Sequence, residues 1–168
     1  CYGLEGTATN ARVEAWSGAM ETQFEVRASR RELHKAHAEY LNNGRLDDAR
    51  LLRTHKGTTV SSTAGGSIDN TVSSTNGGAA YFQVESFSSG AAGTATGIAI
   101  RVQHSSDDVT FADLATYTVT STSPNATRTA IAVGTVIERR LRSNSSFINT
   151  AGGPNGASAR FMVAFARY

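Results

Sequence analysis

The sequence predicts an all-β protein, built as an antiparallel sandwich or a barrel-like subunit. Apolar and polar residues alternate with a period of two in six segments of the second half of the chain. Turn-forming residues separate these segments, for example at 105–108 and 152–156. Ser and Thr number 38 of 168 residues, with 25 Ala, 16 Gly and only 2 Pro, a composition typical of β-rich chains with many loops.

Length, charge and cysteine content narrow the class of protein. A chain of 168 residues suits one domain, 1–168, that can bury a core without cross-links. The single cysteine, Cys1, excludes an intrachain disulfide framework and a Cys-rich zinc site. We expect no membrane helix and no retained signal peptide, because no long apolar run and no basic-then-apolar leader are found. A net charge of +2 is too small to argue for nucleic-acid binding.

The strands of the second half are predicted from alternation alone. Each has an apolar face that is expected to point into the core, and the last strand carries Ala164 and Ala166 on its other face. We expect an aspartate at Ala164 to cost much less than one at Val163. The predicted inward residues are Phe82, Val84, Ile98, Ile100, Val102, Tyr117, Val119, Ile131, Val133, Ile137, Leu141, Phe161, Val163 and Phe165.

Residues 58–78 have the composition of a long irregular loop. The segment is rich in Ser, Thr, Gly and Asn, and no Lys or Arg occurs from Gly57 to Gly97. A linker between two domains is the alternative, but neither flank has enough apolar pattern for a stable small domain. We expect a surface loop with little core of its own.

The first half leaves one element open. Strands are predicted at 12–16 and 23–27, with a hairpin turn at 17–20. Residues 30–41, RRELHKAHAEYL, favour a short helix on propensity, with Ser29 and Glu32 as a capping box. However, Ala36, Ala38 and Tyr40 also alternate as they would in a strand.

Candidate chemistry is sparse, and the sequence predicts neither an enzyme nor a metal or cofactor site. His34 and His37 have the i, i+3 spacing of a helical metal pair, with Glu39 close by, but a third ligand is missing. No GxSxG elbow, GxGxxG loop, Walker lysine or pair of carboxylates in apolar surroundings is present. We expect Asp107 and Asp108 to form an Asx turn. Residues 47–48, two aspartates flanked by Arg45 and Arg50, are expected to form solvated ion pairs.

Six arginines could meet phosphates, but no aromatic residues are interleaved with them. We expect most of them to face neighbouring subunits or the exterior, where they can pair with Glu25, Glu32, Glu39 or Glu138. These arginines are Arg27, Arg30, Arg31, Arg139, Arg140 and Arg142.

Several segments resemble one family when taken in order. GGSIDNTVSSTNGGAAYFQVESF at 65–87 and IRVQHSSDDVTFADLATYTV at 100–119 resemble segments of the major tail tube proteins of long-tailed bacteriophages. NNGRLDDARLLR at 42–53, GTVIERRLRS at 134–143 and SARFMVAFARY at 158–168 are similar to further segments of that family. The resemblance covers residues 23–168, and it depends on the order and spacing of the segments.

The resemblance implies a fold, partners and a location. Members are β-sandwich subunits that assemble into rings, usually hexameric, which stack into a hollow tube that conducts the genome. Neighbouring sheets join around the lumen, and a long loop reaches the adjacent ring. On this basis residues 31–41 would be a strand. The partners would be further copies, other tail proteins and passing DNA, with no membrane, and the location would be the virion after synthesis in the bacterial cytoplasm.

Two other functions fit the same fold. One is a capsid decoration protein or another tail protein. The other is a soluble module that binds carbohydrate or protein, against which the scarcity of aromatic residues argues, since Trp16 is the only tryptophan.

Overall fold

The computed structural model describes the backbone of residues 2–3, 9–16, 19–29, 32–42, 46–58, 63–90, 95–120, 125–149 and 156–168. It describes side chains over 9–12, 47–55, 63–90, 95–120, 125–148 and 156–168. The chain forms two compact units, Cys1–Ala15 with Asp48–Tyr168, and Trp16–Asp47. The larger unit contains two antiparallel sheets that pack together, which confirms the all-β sandwich class.

Sheet 1 has six strands in the order β1-β2-β5-β13-β8-β11. Their bounds are β1 Tyr2–Gly3, β2 Arg12–Trp16, β5 Leu46–Thr58, β8 Gly78–Ser88, β11 Asn125–Ile131 and β13 Ser158–Arg167. Strand β13, the last in sequence, lies at the centre between β5 and β8.

Sheet 2 is built around β9 and β12, which pair over most of their length. The order is β10-β9-β12-β6, and β7 pairs with another part of β12. Their bounds are β6 Thr63–Ala64, β7 Ile68–Asp69, β9 Ala95–Ser105, β10 Ala112–Val119 and β12 Arg140–Asn149.

The smaller unit contains a two-stranded antiparallel sheet formed by β3, Ala19–Ser29, and β4, Glu32–Asn42. Over 32–41 the helix propensity is therefore overruled by strand pairing, as the family resemblance implied, and residues 30–31 lie outside the described part. The hairpin expected between 12–16 and 23–27 is wrong, because β3 pairs with β4 while β2 belongs to sheet 1.

The core lies between the sheets and is built from alternate residues of the paired strands. Sheet 1 contributes Phe82, Val84, Phe161, Val163 and Phe165, and sheet 2 contributes Ile98, Ile100, Val102, Val119 and Leu141. All of these were predicted to face inward, and each is at most 3% exposed. One predicted inward residue is wrong. Val133 is 81% exposed, because β11 ends at Ile131 and the chain turns there.

The outer face of sheet 1 is also buried, which corrects the expectation for Ala164. Ala164 is 0% exposed and Ala166 is 1% exposed. They belong to a second apolar cluster with Leu51, Ala79 and Tyr81, distinct from the core between the sheets. The central strands of sheet 1 are therefore covered on both faces.

Residues 58–78 contain more structure than the loop that composition predicted. Strands β6 and β7 pair with β12, and Ser74 forms a further bridge to Ile137. Ile68 is 6% exposed and joins the core. The segment thus completes the edge of sheet 2, although residues 59–62 lie outside the described part.

Candidate assembly surface

The residues singled out for metal chemistry do not have the geometry that chemistry needs. His34, His37 and Glu39 lie on the strand β4, so the helical spacing behind the proposed pair is absent. Their side chains lie outside the described part. Within the described side chains, no three His, Cys, Asp or Glu residues are grouped as metal ligands would be.

The turn between β9 and β10 is organised by Asp107, as the Asx-turn prediction required. Its Oδ1 accepts hydrogen bonds from the backbone of Thr110 at 2.8 Å, from the backbone of Val109 at 2.9 Å and from Ser105 Oγ at 2.7 Å. These bonds hold the pKa of Asp107 down to about 2. Ser105 Oγ in turn accepts from the backbone of Asp108, whose φ is +64°. The turn is therefore pre-organised.

The described arginines of 139–142 bind partners within their own subunit. Arg139 forms a two-pronged pair with Asp69, at 3.2 and 2.7 Å, and this lowers the pKa of Asp69. Arg140 lies 3.1 Å from the same carboxylate, and Arg142 stacks over a ring, 3.6 Å from the centroid of Phe111. The expected partner Glu138 is replaced by Asp69, which lies far away in sequence.

The remaining charge predictions have mixed outcomes. Asp48 forms an exposed ion pair at 3.1 Å with Arg12 rather than with the flanking arginine predicted from sequence. Asp47 is only 4% exposed, so its expected solvation is wrong. The side chain of Arg27 lies outside the described part, and so do residues 30–31 and 45.

Two polar side chains, Arg53 and His55, form a polar layer inside the sandwich that the sequence did not predict. Arg53, 9% exposed, donates to the carbonyl oxygen of Thr63 at 2.7 Å, and its Nη2 lies 3.1 Å from Nδ1 of His55. Because guanidinium only donates, Nδ1 must accept, so His55 is neutral. Both side chains pack on the ring of Phe161. Burial, then the charge of Arg53, lowers the pKa of His55.

The edge strands on the two lateral sides of the sandwich differ in length. On one side the described edge strands are short: β1, β6 and β7 have two described residues each, and β1 and β6 border residues outside the described part. On the other side the edges are β10, of eight residues, and β11, of seven, and these two strands are neighbours across the sandwich. Short strands are one way in which proteins protect sheet edges, and among the described residues the longer edges lie on one side.

Of the two long edges, β11 is the more regular. All seven of its residues pair with β8 without a register shift, whereas a bulge interrupts β10 between Asp113 and Ala115. Strand β11 contains neither lysine nor proline. Its one charge, Arg128, donates to the hydroxyls of Tyr81 at 3.0 Å and Tyr168 at 2.8 Å. Within the described residues β11 has a neighbouring strand on one side only.

A cleft opens at one end of the larger unit, between the two sheets. Its volume is about 190 Å³, and we call it the end pocket. The apolar lining comes from core residues, and charged and amide side chains line the rest. The lining residues are Asp48, Arg50, Leu52, Ile68, Asn70, Leu141, Phe165 and Arg167.

The chain was compared with protein families, curated proteins and solved structures. No protein-family model, curated protein or solved structure matches this chain. Within the described residues, no helix is long and apolar enough to cross a membrane.

Proposed function

We propose that the protein is a virion structural subunit that assembles into stacked rings and forms a phage tail tube, a conduit for genome delivery. The proposal begins from the family resemblance of the sequence. The structural observation that supports it best is the long, regular, open edge of β11. An edge of this kind is a template for pairing with another chain, and monomeric proteins normally protect it.

Edge pairing would give the sandwich a direction of assembly. One side offers the long edges β10 and β11, and the described edge strands on the opposite side have two residues each. A contact between two different sides is heterologous, and heterologous contacts generate closed rings when the rotation closes. This asymmetry supports a ring rather than a two-fold dimer through identical edges.

The hairpin β3–β4 is a suitable partner for the open edge in a neighbouring copy. Each of its strands has eleven residues and pairs only with the other strand among the described residues. A sheet of two strands gains stability from a third strand. Either strand is long enough to pair with the seven residues of β11.

The arrangement of the described arginines supports a conduit that does not hold DNA. A row of unpaired arginines would bind phosphates with strong salt dependence. Arg139 and Arg140 instead share Asp69, and Arg142 donates to Gln103 at 2.9 Å while stacking on Phe111. Each of these guanidinium groups thus has hydrogen-bonding, ionic or ring partners within its own chain.

The direct test is assembly of the purified chain, followed by sedimentation velocity and negative-stain electron microscopy. We expect rings or tubes from the unaltered protein. The double variant A126K/A130K places lysines at two exposed positions of β11 and should prevent assembly while leaving the circular dichroism unchanged.

The matched control is V133K, because Val133 is 81% exposed and lies just beyond β11. It should assemble as the unaltered protein does. A protein that remains monomeric at every concentration, including after seeding with tail tips, would overturn the proposal. Full assembly of A126K/A130K would show that β11 is not the seam.

A further inference from the structure

Val109 is one of several apolar side chains of the larger unit that are exposed to solvent. Val109 is 80% exposed, although it follows directly on a turn that is fixed by hydrogen bonds to Asp107 and Ser105. The valine is flanked by Asp107 and Asp108 on one side. A rigid apolar tip of this kind loses little conformational entropy when it is buried against a partner.

The end pocket has apolar side chains that an exposed valine such as Val109 could contact. Leu52, Ile68, Leu141 and Phe165 form its apolar lining, and all four belong to the core between the sheets. Its volume of about 190 Å³ can hold an aliphatic side chain. A pocket with an apolar lining and a few charged groups is the usual form of a specific binding site.

The charged groups of the end pocket favour an acidic occupant. Arg50 and Arg167 contribute two positive charges, and the one carboxylate, Asp48, already pairs with Arg12. Arg167 donates from Nη2 to the carbonyl oxygens of Val72 at 2.9 Å and Ile137 at 3.4 Å. No carboxylate among the described side chains contacts Arg167.

The turn and the pocket lie at the same end of the sandwich. Arg140 pairs in register with Ser105, at the start of the turn, and its guanidinium lies 3.9 Å from Asp108. The same guanidinium lies 3.1 Å from Asp69, which precedes the pocket residue Asn70. Because Val109 remains exposed, it does not fill the pocket of its own chain. One end of the sandwich therefore carries both an exposed apolar side chain and a pocket that another copy could fill.

We propose that Val109 of one copy docks into the end pocket of a second copy, with Asp108 beside Arg50 and Arg167 of the pocket. The proposal rests on the self-assembly proposed above and names one of its contacts. A second copy is favoured over a small ligand because the same chain supplies an exposed valine with acidic flanks and, at the same end, a pocket with two arginines and apolar side chains at its base.

The test uses two variants, one that changes the inserted side chain and one that changes the pocket that receives it. V109S removes the apolar tip at an exposed position, and V133S is its matched control, an equally exposed valine outside the turn. D48W fills the pocket, and R12A is its control, because it removes the same exposed ion pair without filling the pocket.

Association constants are measured by sedimentation on the full chain. V109S and D48W should each weaken association by about tenfold or more, the factor expected for one buried aliphatic side chain, and the controls should change it by less than about threefold. The double variant V109S/D48W should be no weaker than either single variant, because both remove one contact.

The outcomes separate this inference from the proposed function. If the unaltered protein does not associate, the proposed function fails. If it associates and neither V109S nor D48W weakens it, only the docking of Val109 is wrong. If D48W weakens association and V109S does not, the pocket receives another occupant and the docking of Val109 is again wrong.

Discussion

The buried outer face of sheet 1 is tested most sharply by placing a carboxylate on it. Ala164 lies in the central strand β13, where it pairs with Leu51 of β5 and Tyr81 of β8. All three residues are at most 3% exposed. The variant A164D therefore puts an aspartate among apolar side chains of both neighbouring strands.

The cost follows from the pKa that such a carboxylate must adopt. Full burial raises the pKa of an aspartate by about 3–5 units, and each unit corresponds to about 1.4 kcal/mol. At pH 7 the variant should lose about 4 kcal/mol of the free energy of unfolding, because only the roughly 3 pH units between the unfolded pKa of about 3.9 and the solution pH contribute to the cost. The total for a domain is about 5–15 kcal/mol, so A164D should lose a large share of its stability at neutral pH and unfold at a much lower urea concentration.

The sign of the pH dependence provides an independent check. With its pKa raised in the folded state, the introduced carboxyl group binds a proton more tightly when the chain is folded than when it is unfolded. Its penalty is small below the unfolded pKa of about 3.9 and grows as pH rises toward the folded value. Relative to the unaltered protein, A164D should therefore be least destabilised at low pH.

Urea unfolding followed by circular dichroism measures this cost. V163D, on the core face, should be as damaging as A164D, and A130D, at an exposed alanine of β11, should cost less than about 0.5 kcal/mol. An A164D variant that unfolds at the same urea concentration as the unaltered protein would refute the burial of the outer face.

Three further predictions concern single sites. Because the pKa of His55 is lowered on folding, its contribution to stability should be full above about pH 6.5 and fall as pH drops below it, and H55Q should flatten this change in urea midpoints. G78A should destabilise by about 1–3 kcal/mol, since its Cβ would lie 2.5 Å from the carbonyl oxygen of Ala166, whereas G66A, with nothing within 4 Å, should not; equal midpoints would refute this. NMR titration should give Asp107 a pKa of about 2, and S105A should raise it; a pKa of Asp107 unchanged by S105A would contradict the turn.

Much of the second half could be predicted because apolar and polar residues alternate along its strands. The alternation around Ile100 and Val163 identified the core face of both sheets, since one face of each strand meets the other sheet. The Asx turn at Asp107 was also predictable, because its chemistry is local. Val133 was misassigned because the chain turns at Gly134, where φ is +93°, and the alternation ends with it.

The polar layer could not be predicted because a β-bulge changes which residues face inward. Val163 pairs with Arg53 and Ala164 pairs with Leu51, so Leu52 is the extra residue of β5. Up to and including Leu52, the even-numbered residues of β5 face the core. Beyond the bulge the odd-numbered residues Arg53 and His55 face it instead. A strict period of two would have assigned Arg53 to the same face as Leu51.

Strand β4 and the assembly surface depend on pairing that sequence patterns do not encode. Residues 30–41 have strong helix formers, yet β4 gains its hydrogen bonds from β3. The end pocket combines residues from β5, β7, β12 and β13, together with Asn70. No local signal reports that these distant residues meet.

The central position of β13 has a consequence for the timing of folding. Strand β13 lies between β5 and β8 and pairs with both. Phe161 of β13 pairs with His55 of β5, and the two residues are separated by about a hundred positions in the chain. Until β13 has been synthesised, β5 and β8 cannot be connected in one sheet. We therefore expect nascent chains to remain incompletely folded until β13 has been synthesised.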